Sequence, residues 1–249
     1  MTTRPRAAKA TPDANGAKPA ATPGTRKALV ETQIIEAATE LFAARGFAGT
    51  SLQDIAEATG LTRPALYHYF SSKEDLLSRL VSEVTVGPAA DLRRIRRRAA
   101  TPVVERLREM ATSIALLQAQ HPSRFRMLIR SEADLPEALA ATYASGRRSV
   151  LREFSSVIDE GVGSGEFRPV DARTAALGII GLCNWVAWWH RPGDDADDRR
   201  VAGSLADMAV ASVVSHDARE TTATGVGRVV ELLKQDVAAL ERLTSPPNT

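Results

Sequence analysis

Apolar residues recur along this chain every three or four positions, the spacing that puts one buried stripe on a helix. Val30, Ile34, Ala38, Leu41 and Phe42 form the first stripe and predict a helix from about Lys27 to Arg45, ended by Gly46. Between Thr50 and Phe70 the pattern shortens into two brief helices joined by a sharp turn. Ser51 can cap the first of them, with Asp54 three residues later closing a capping box. Leu52, Ile55 and Ala56 give that helix one apolar face. Gly60 stands where the chain must turn through the left-handed conformation, which a residue without Cβ adopts freely. Leu61 fills the angle between the helices, Thr62 can cap the second, and Pro64 falls in its first turn, where a missing N–H costs little. Leu66 and Phe70, four apart, face inward. A fourth helix begins at Ser72, with Asp75 as its capping partner, and buries Leu76, Leu77, Leu80 and Val84.

Further along, Gly87 and Pro88 predict a break. The basic run Asp91–Arg98 reads as a solvated helix face. Thr101 and Pro102 start a helix striped by Val104, Leu107, Met110, Ile114 and Leu117, which His121 and Pro122 stop. A short helix follows through Phe125, Leu128 and Ile129. Pro136 opens a long one that runs to about Glu160. Gly161, Gly163 and Gly165 then read as a helix stop and turn; following a helix and not a strand, they lack the geometry of a dinucleotide-binding loop. Asp171 starts a helix containing AALGIIGLCNWVAWWH, apolar nearly all round and so buried on more than one side. The acids of Asp194–Asp198 suit the N-terminus of the next helix, which carries Val201, Leu205, Met208, Ala209 and Val213. Residues 215–224 read as a linker, and Val226, Val230, Leu233, Val237 and Leu240 form a short heptad-like seam.

No strand-like alternation occurs, so the predicted fold is all-α: an N-terminal three-helix helix-turn-helix DNA-binding domain and a C-terminal helical domain. The expected boundaries are a disordered basic tail over 1–25, the DNA-binding domain over 26–85, a second helical domain over 86–215, and a linker with an extra amphipathic helix over 216–249.

The second helix of the Thr50–Phe70 unit directs Arg63, Ala65, Tyr67 and His68 outward, and a helix of this kind suits the major groove. Arg63 can make a bidentate bond to guanine or pair with a phosphate, Thr62 can donate to a phosphate, and Ala65 can touch a thymine methyl. Tyr67 and His68 carry polar tips at phosphate height. Lys73, after its cap at Ser72, offers a cation to the DNA backbone. The predicted DNA-contacting set is Ser51, Gln53, Thr62, Arg63, Pro64, Ala65, Tyr67, His68 and Lys73.

Four segments of this stretch follow one family pattern: AxxLFxxxGFxxTS (Ala38, Leu41, Phe42, Gly46, Phe47, Thr50, Ser51), DIAExxG (Asp54–Glu57, Gly60), LYxYF (Leu66–Phe70) and SKExLL (Ser72–Glu74, Leu76, Leu77). Together they resemble the DNA-binding domain of TetR-type transcriptional regulators. The resemblance implies an all-helical homodimer, with one such domain per subunit on a double-stranded DNA operator and a ligand-binding domain behind it. It also implies that the last two helices of that domain pair with their symmetry mates, which places the dimer interface in residues 172–214. The segment NWVAWWHRPGD resembles part of the acyl-CoA-sensing regulators of fatty-acid and sterol catabolism within the same family, although His190, Arg191 and Asp194 depart from their pattern. The small hydrophobic effector implied is an acyl-CoA thioester. Its apolar part would need Phe125, Leu128, Tyr143, Phe154, Trp185 and Trp188. Its phosphates would need cations, offered by Arg124, Arg130, Arg147, Arg148 and Arg152, with Arg148 and Arg152 sharing a helix face.

Composition adds exclusions. Net charge is +2, too small to argue for nucleic acid by itself. The tail carries Arg4, Arg6, Lys9, Lys18, Arg26 and Lys27 against Asp13 alone, whereas acidic residues outnumber basic ones from Glu31 to Val84. DNA recognition therefore rests on geometry and placement. Cys183 is the only cysteine, which excludes an internal disulfide. No apolar run reaches the roughly 20 residues that span a bilayer, and no apolar stretch follows the basic N-terminus, so neither membrane nor secretion is expected and the cytoplasm is. His68, His121, His190 and His216 sit in no metalloenzyme or nucleophile motif, so neither enzyme activity nor a cofactor is expected. Two other readings stay open: a TetR-type sensor of cationic drugs that controls an exporter, and a helical module that recruits a partner through its C-terminal helix.

Overall fold

The computed structural model describes residues 23–215; residues 1–22 of the expected tail and the helix expected over 216–249 lie outside them, and residues 23–25, expected in the tail, belong to the first helix. The described chain is helical: α1 Pro23–Arg45, α2 Leu52–Thr59, α3 Arg63–Tyr67, α4 Lys73–Val81, α5 Gly87–Arg96, α6 Val103–Gln120, α7 Pro122–Ser131, α8 Glu137–Ser164, α9 Ala172–Trp189 and α10 Asp195–Ala211. The only β pairing among the described residues is an isolated antiparallel bridge between Phe167 and Val214.

The helix starts follow the expected chemistry. At α2 the Asp54 N–H donates to Ser51 Oγ (3.2 Å) while the Ser51 N–H donates to Asp54 Oδ2 (2.7 Å). Gly60 ends that helix at φ 67°. The Ala65 N–H donates to Thr62 Oγ1 at the start of α3, and the Asp75 N–H to Ser72 Oγ at the start of α4. Asp171 and Asp194 cap α9 and α10 in the same way.

Two apolar clusters divide the molecule. The first joins α1 (Ile34, Ala38, Phe42), α2 (Ile55, Ala56), Leu66, Phe70 and α4 (Leu76, Leu77, Leu80). It does not stop at the head, because Met127, Leu128, Leu135 and Tyr143 from α7, the following loop and α8 enter the same cluster. The second is built by α5, α6, α8, α9 and α10 around Leu107, Met110, Phe154, Val157 and Cys183. Burial pushes the Cys183 thiol up to about 12, which keeps it protonated and unreactive.

Two expectations about the glycines and Pro88 change. Gly87 and Pro88 do not break the chain. Residues Ser82–Val86 form a π-helical turn, the Gly87 N–H donates to Ser82 O, and α4 runs on into α5. A wider turn accommodates the proline ring, which would otherwise meet a carbonyl one turn back. The glycine-rich stretch is not all turn either: α8 runs to Ser164, and Gly165 (φ 79°) alone ends it. Gly161 lies within the helix, where the close Phe167 ring, 2.1 Å from where a Cβ would sit, leaves room only for glycine. Within one chain α9 is buried on one side only, leaving Leu177, Trp185 and Trp189 more than half exposed.

Ion pairs tie α5 to the body. Glu153 is buried on α8 and accepts from Arg96 (2.6 Å) and Arg93 (3.3 Å). Burial acts to raise its carboxyl, but these two guanidiniums outweigh that and hold it below the usual range. The buried Arg106 donates to Arg96 O, Thr101 O and both oxygens of Glu160, closing the α5–α6 loop.

Two outcomes follow from this packing. Gly146 of α8 lies against the π turn, and a Cβ there would meet Thr85 at 2.5 Å. Gly146→Ala should cost about 1–3 kcal/mol in thermal unfolding, whereas Gly163→Ala, whose Cβ meets nothing within 4 Å, should be neutral or stabilising by up to ~1 kcal/mol. A depressed carboxyl contributes stability that is present above its unfolded value and lost as pH falls through the folded one. Stability should therefore drop below about pH 4.3, the ordinary Glu value, and acid titration of the Glu153→Gln variant by circular dichroism should show a shallower loss there.

Candidate nucleic-acid interface and ligand cavity

The helix-turn-helix presents one polar face. Ser51, Gln53, Thr62, Arg63, Pro64, Tyr67 and His68 are exposed on it, and Ala65 is half-buried. Leu66, between Ala65 and Tyr67, is fully buried and orients the helix. Arg63 leans along α3, with Nη2 at 3.3 Å from Tyr67 Oη and its guanidinium 5.7 Å from that ring. Gln53 donates to Glu57 one turn on. A shallow groove between the N-terminal ends of α2 and α4 is walled by Gly49–Asp54, Arg63, Tyr67 and Ser71–Glu74.

Lys73 is placed differently from its expected role. Its ammonium donates to Phe47 O (2.9 Å) and Thr50 O (3.1 Å) and lies 4.5 Å from the centre of the Phe47 ring. It closes the α1–α2 loop from inside. Among the predicted contacts Arg63 is the exposed cation of the face, held only by its neighbour Tyr67 within α3.

Behind the head, a cavity of about 460 Å³ opens between the π turn, α6, α7, α8 and α9. This lies within the range of small-ligand sites. Val84 and Thr85 of the π turn, Ile114, Phe125, Ile129, Tyr143, Val150, Leu151, Leu177 and Ile180 make its wall mostly apolar. Polar groups come from Gln118, Asn184, Glu132, Arg147, Arg148 and Arg173. Glu132 is taken up by Arg147, whose Nη1 donates to both its oxygens at 2.7 and 2.8 Å. Arg148 and Arg173 are exposed at the mouth. Burial pushes the Tyr143 phenol up, against the nearby Arg147, so it stays a neutral donor in the wall.

Of the eight residues predicted to line a ligand site, Phe125, Tyr143 and Arg148 line this cavity. Leu128 is buried in the head's cluster and Phe154 in the body's. Arg152 points to solvent beside Ser149. Trp185 and Trp188 are exposed on the outer side of α9, 6.5 Å apart, with Arg130 5.9 Å from the Trp188 ring. Aromatic content could not separate core from cavity from outer face. Arg173, Leu177, Ile180 and Asn184 went unpredicted, although their 4-3-4 spacing marks a single face of α9 distinct from that of Trp185.

A helix-turn-helix with an open polar reading face, carried on a helical body that holds a cavity, defines a ligand-binding DNA-binding regulator. Residues 34–80 match the bacterial regulatory proteins of the tetR family, and residues 100–213 match the tetracyclin repressor-like C-terminal domain. The HTH-type transcriptional repressor KstR2 of Rhodococcus jostii is 30% identical over 194 residues, which span 74% of this chain and 91% of that repressor. The crystal structure of the TetR family regulator PfmR from Thermus thermophilus superposes with a TM-score of 0.61 at 28% identity, over 72% of this chain and 97% of PfmR. Apo AibR gives 0.58 at 26% identity, over 74% and 98%; a further AibR structure holds isovaleryl coenzyme A and operator DNA. The chain belongs to the TetR family of transcriptional regulators.

The two cations give opposite predictions. In fluorescence anisotropy against a selected duplex, Arg63→Ala should weaken binding and reduce the salt slope by about 1. Lys73→Ala should leave the slope unchanged and lower the melting temperature instead. A reduced slope for Lys73→Ala would return that ammonium to the DNA.

Proposed function

We propose that this chain is a ligand-responsive, dimeric transcriptional repressor acting in the cytoplasm. Two copies pair through residues 172–214, and their two α3 helices enter successive major grooves of a pseudo-palindromic operator. The pairing surface is supported by Trp185, Trp188, Trp189 and Met208, large apolar side chains left exposed on α9 and α10 of one chain.

The observation that carries the regulatory half is the shared wall. Val84 and Thr85 line the cavity and belong to the π turn that continues α4 of the head into α5 of the body. A ligand that fills the cavity acts directly on the rod that carries the reading helix. Release requires it to bind the released state better than the operator-bound state; reversing a 99:1 population needs about 5.5 kcal/mol of difference.

The ligand class follows from charge. The apolar wall accepts an acyl group, and Arg148 and Arg173 at the mouth suit phosphates. Glu132, the one acid of the wall, is neutralised by Arg147, which weighs against the cationic-drug reading. An acyl-CoA thioester is the effector that fits. AibR, which binds isovaleryl coenzyme A, shares the fold.

Titration calorimetry with isovaleryl-CoA and longer acyl-CoAs tests this. Binding should weaken more than tenfold when Arg148 and Arg173 are both changed to Glu, since each charge-assisted hydrogen bond contributes about 1.5–3 kcal/mol. Free carboxylic acids of the same chain length should bind worse than the thioesters. Binding of a cationic dye such as ethidium, with none of the thioesters, would replace this effector class with the drug reading.

A further inference from the structure

One buried cation fits neither the reading face nor the cavity. Arg124 of α7 is 8% exposed. Its Nη1 donates to Glu83 Oε2 at 2.8 Å, and its Nη2 lies 3.9 Å from Glu36 Oε1. Its buried Nε–H reaches no protein acceptor. Glu83 is in the π turn and also accepts from Arg79 one turn earlier, at 2.8 Å. Glu36 is on α1. A single guanidinium from the body therefore faces one carboxylate on each of the two elements that hold the head, engaged with the first and only approaching the second.

A buried arginine with an unpaired donor is costly, and natural interiors seldom keep one without a use. Its neighbours suggest the use. Phe125, next in the chain, lines the cavity, as do Val84 and Thr85 beside Glu83. Separating Phe125 from Thr85 within the cavity strains the Arg124–Glu83 contact behind it. Glu36 offers a second acceptor once that contact opens, and the uncommitted Nε–H leaves the guanidinium free to turn.

We infer that Arg124 is a positioning residue: it latches the body to the π turn and fixes the pose of the reading head, and its transfer from Glu83 towards Glu36 is the step that couples a filled cavity to the head. This rests on the regulator reading above. Bonded to Glu83, the latch holds the α4–α5 rod in one tilt. Released, it lets the rod flex at the π turn, and a dimer loses its fixed separation of reading helices.

The latch can be tested without DNA. In hydrogen–deuterium exchange, Arg124→Gln and Glu83→Gln should each speed exchange in residues 79–87 by about tenfold, with α6 and α10 unchanged, because local openings report local contacts. Arg124→Lys keeps one bond to Glu83 and should recover most of the protection. Unaltered exchange over 79–87 in both Gln variants overturns the proposal. A second readout separates positioning from mere stability. On palindromic duplexes selected by the wild-type protein, both Gln variants should lose the preference for one half-site separation while single half-sites bind as before. A retained spacing preference also overturns the latch. Failure of the wild-type protein to select paired half-sites counts against the operator reading, and the exchange result then decides the latch alone.

Discussion

A helix of five residues cannot hold its shape in water, where isolated helices shorter than ~12 residues are marginal. The reading helix α3 is that short, so its direction is imposed from outside. Leu66 is its single fully buried side chain and lodges in a cluster built by α1, α2 and α4. The Thr62 cap and the left-handed Gly60 fix how the chain enters it. Everything the face can present, from Arg63 to His68, depends on that one anchored leucine and the packing around it.

The same cluster explains how a body can govern the head. Met127, Leu128 and Tyr143 reach into it from α7 and α8, so head and body share a core and do not merely touch. Interiors packed at this density transmit displacement. The only irregular stretch of the connecting rod is the π turn, where Thr85 meets Gly146 closely on one side and lines the cavity on the other. Such turns recur at functional positions because they loosen a helix locally without ending it. The Arg124–Glu83 bond spans the same place.

Much of the head was legible in the sequence because local chemistry decides it. Capping side chains, the glycine turn and the four-residue spacing of Ile34, Ala38 and Phe42 act within one or two turns of the chain. Legibility failed where a neighbour distant in sequence decided the outcome. Lys73 reads as a free cation until Phe47 and Thr50 are folded beside it. Pro88 reads as a break until the wider turn before it is seen. Leu128, Phe154 and Trp185 are equally apolar, yet one is in the head's core, one in the body's and one on the surface. The cavity-lining face of α9 was spelled by spacing, but the tryptophans beside it drew the stronger inference.

In the proposed regulator, the cavity controls the separation of two reading heads. Ala58 is exposed on α2 and is not among the predicted DNA contacts, and the buried Cys183 thiol resists labelling, so Ala58→Cys accepts one spin label per chain. Pulsed electron resonance on the dimer then measures the head-to-head distance. A single narrow distance on a selected duplex, which shifts or broadens when isovaleryl-CoA is added, is the result this account predicts. A distance that stays fixed while the ligand binds would contradict it.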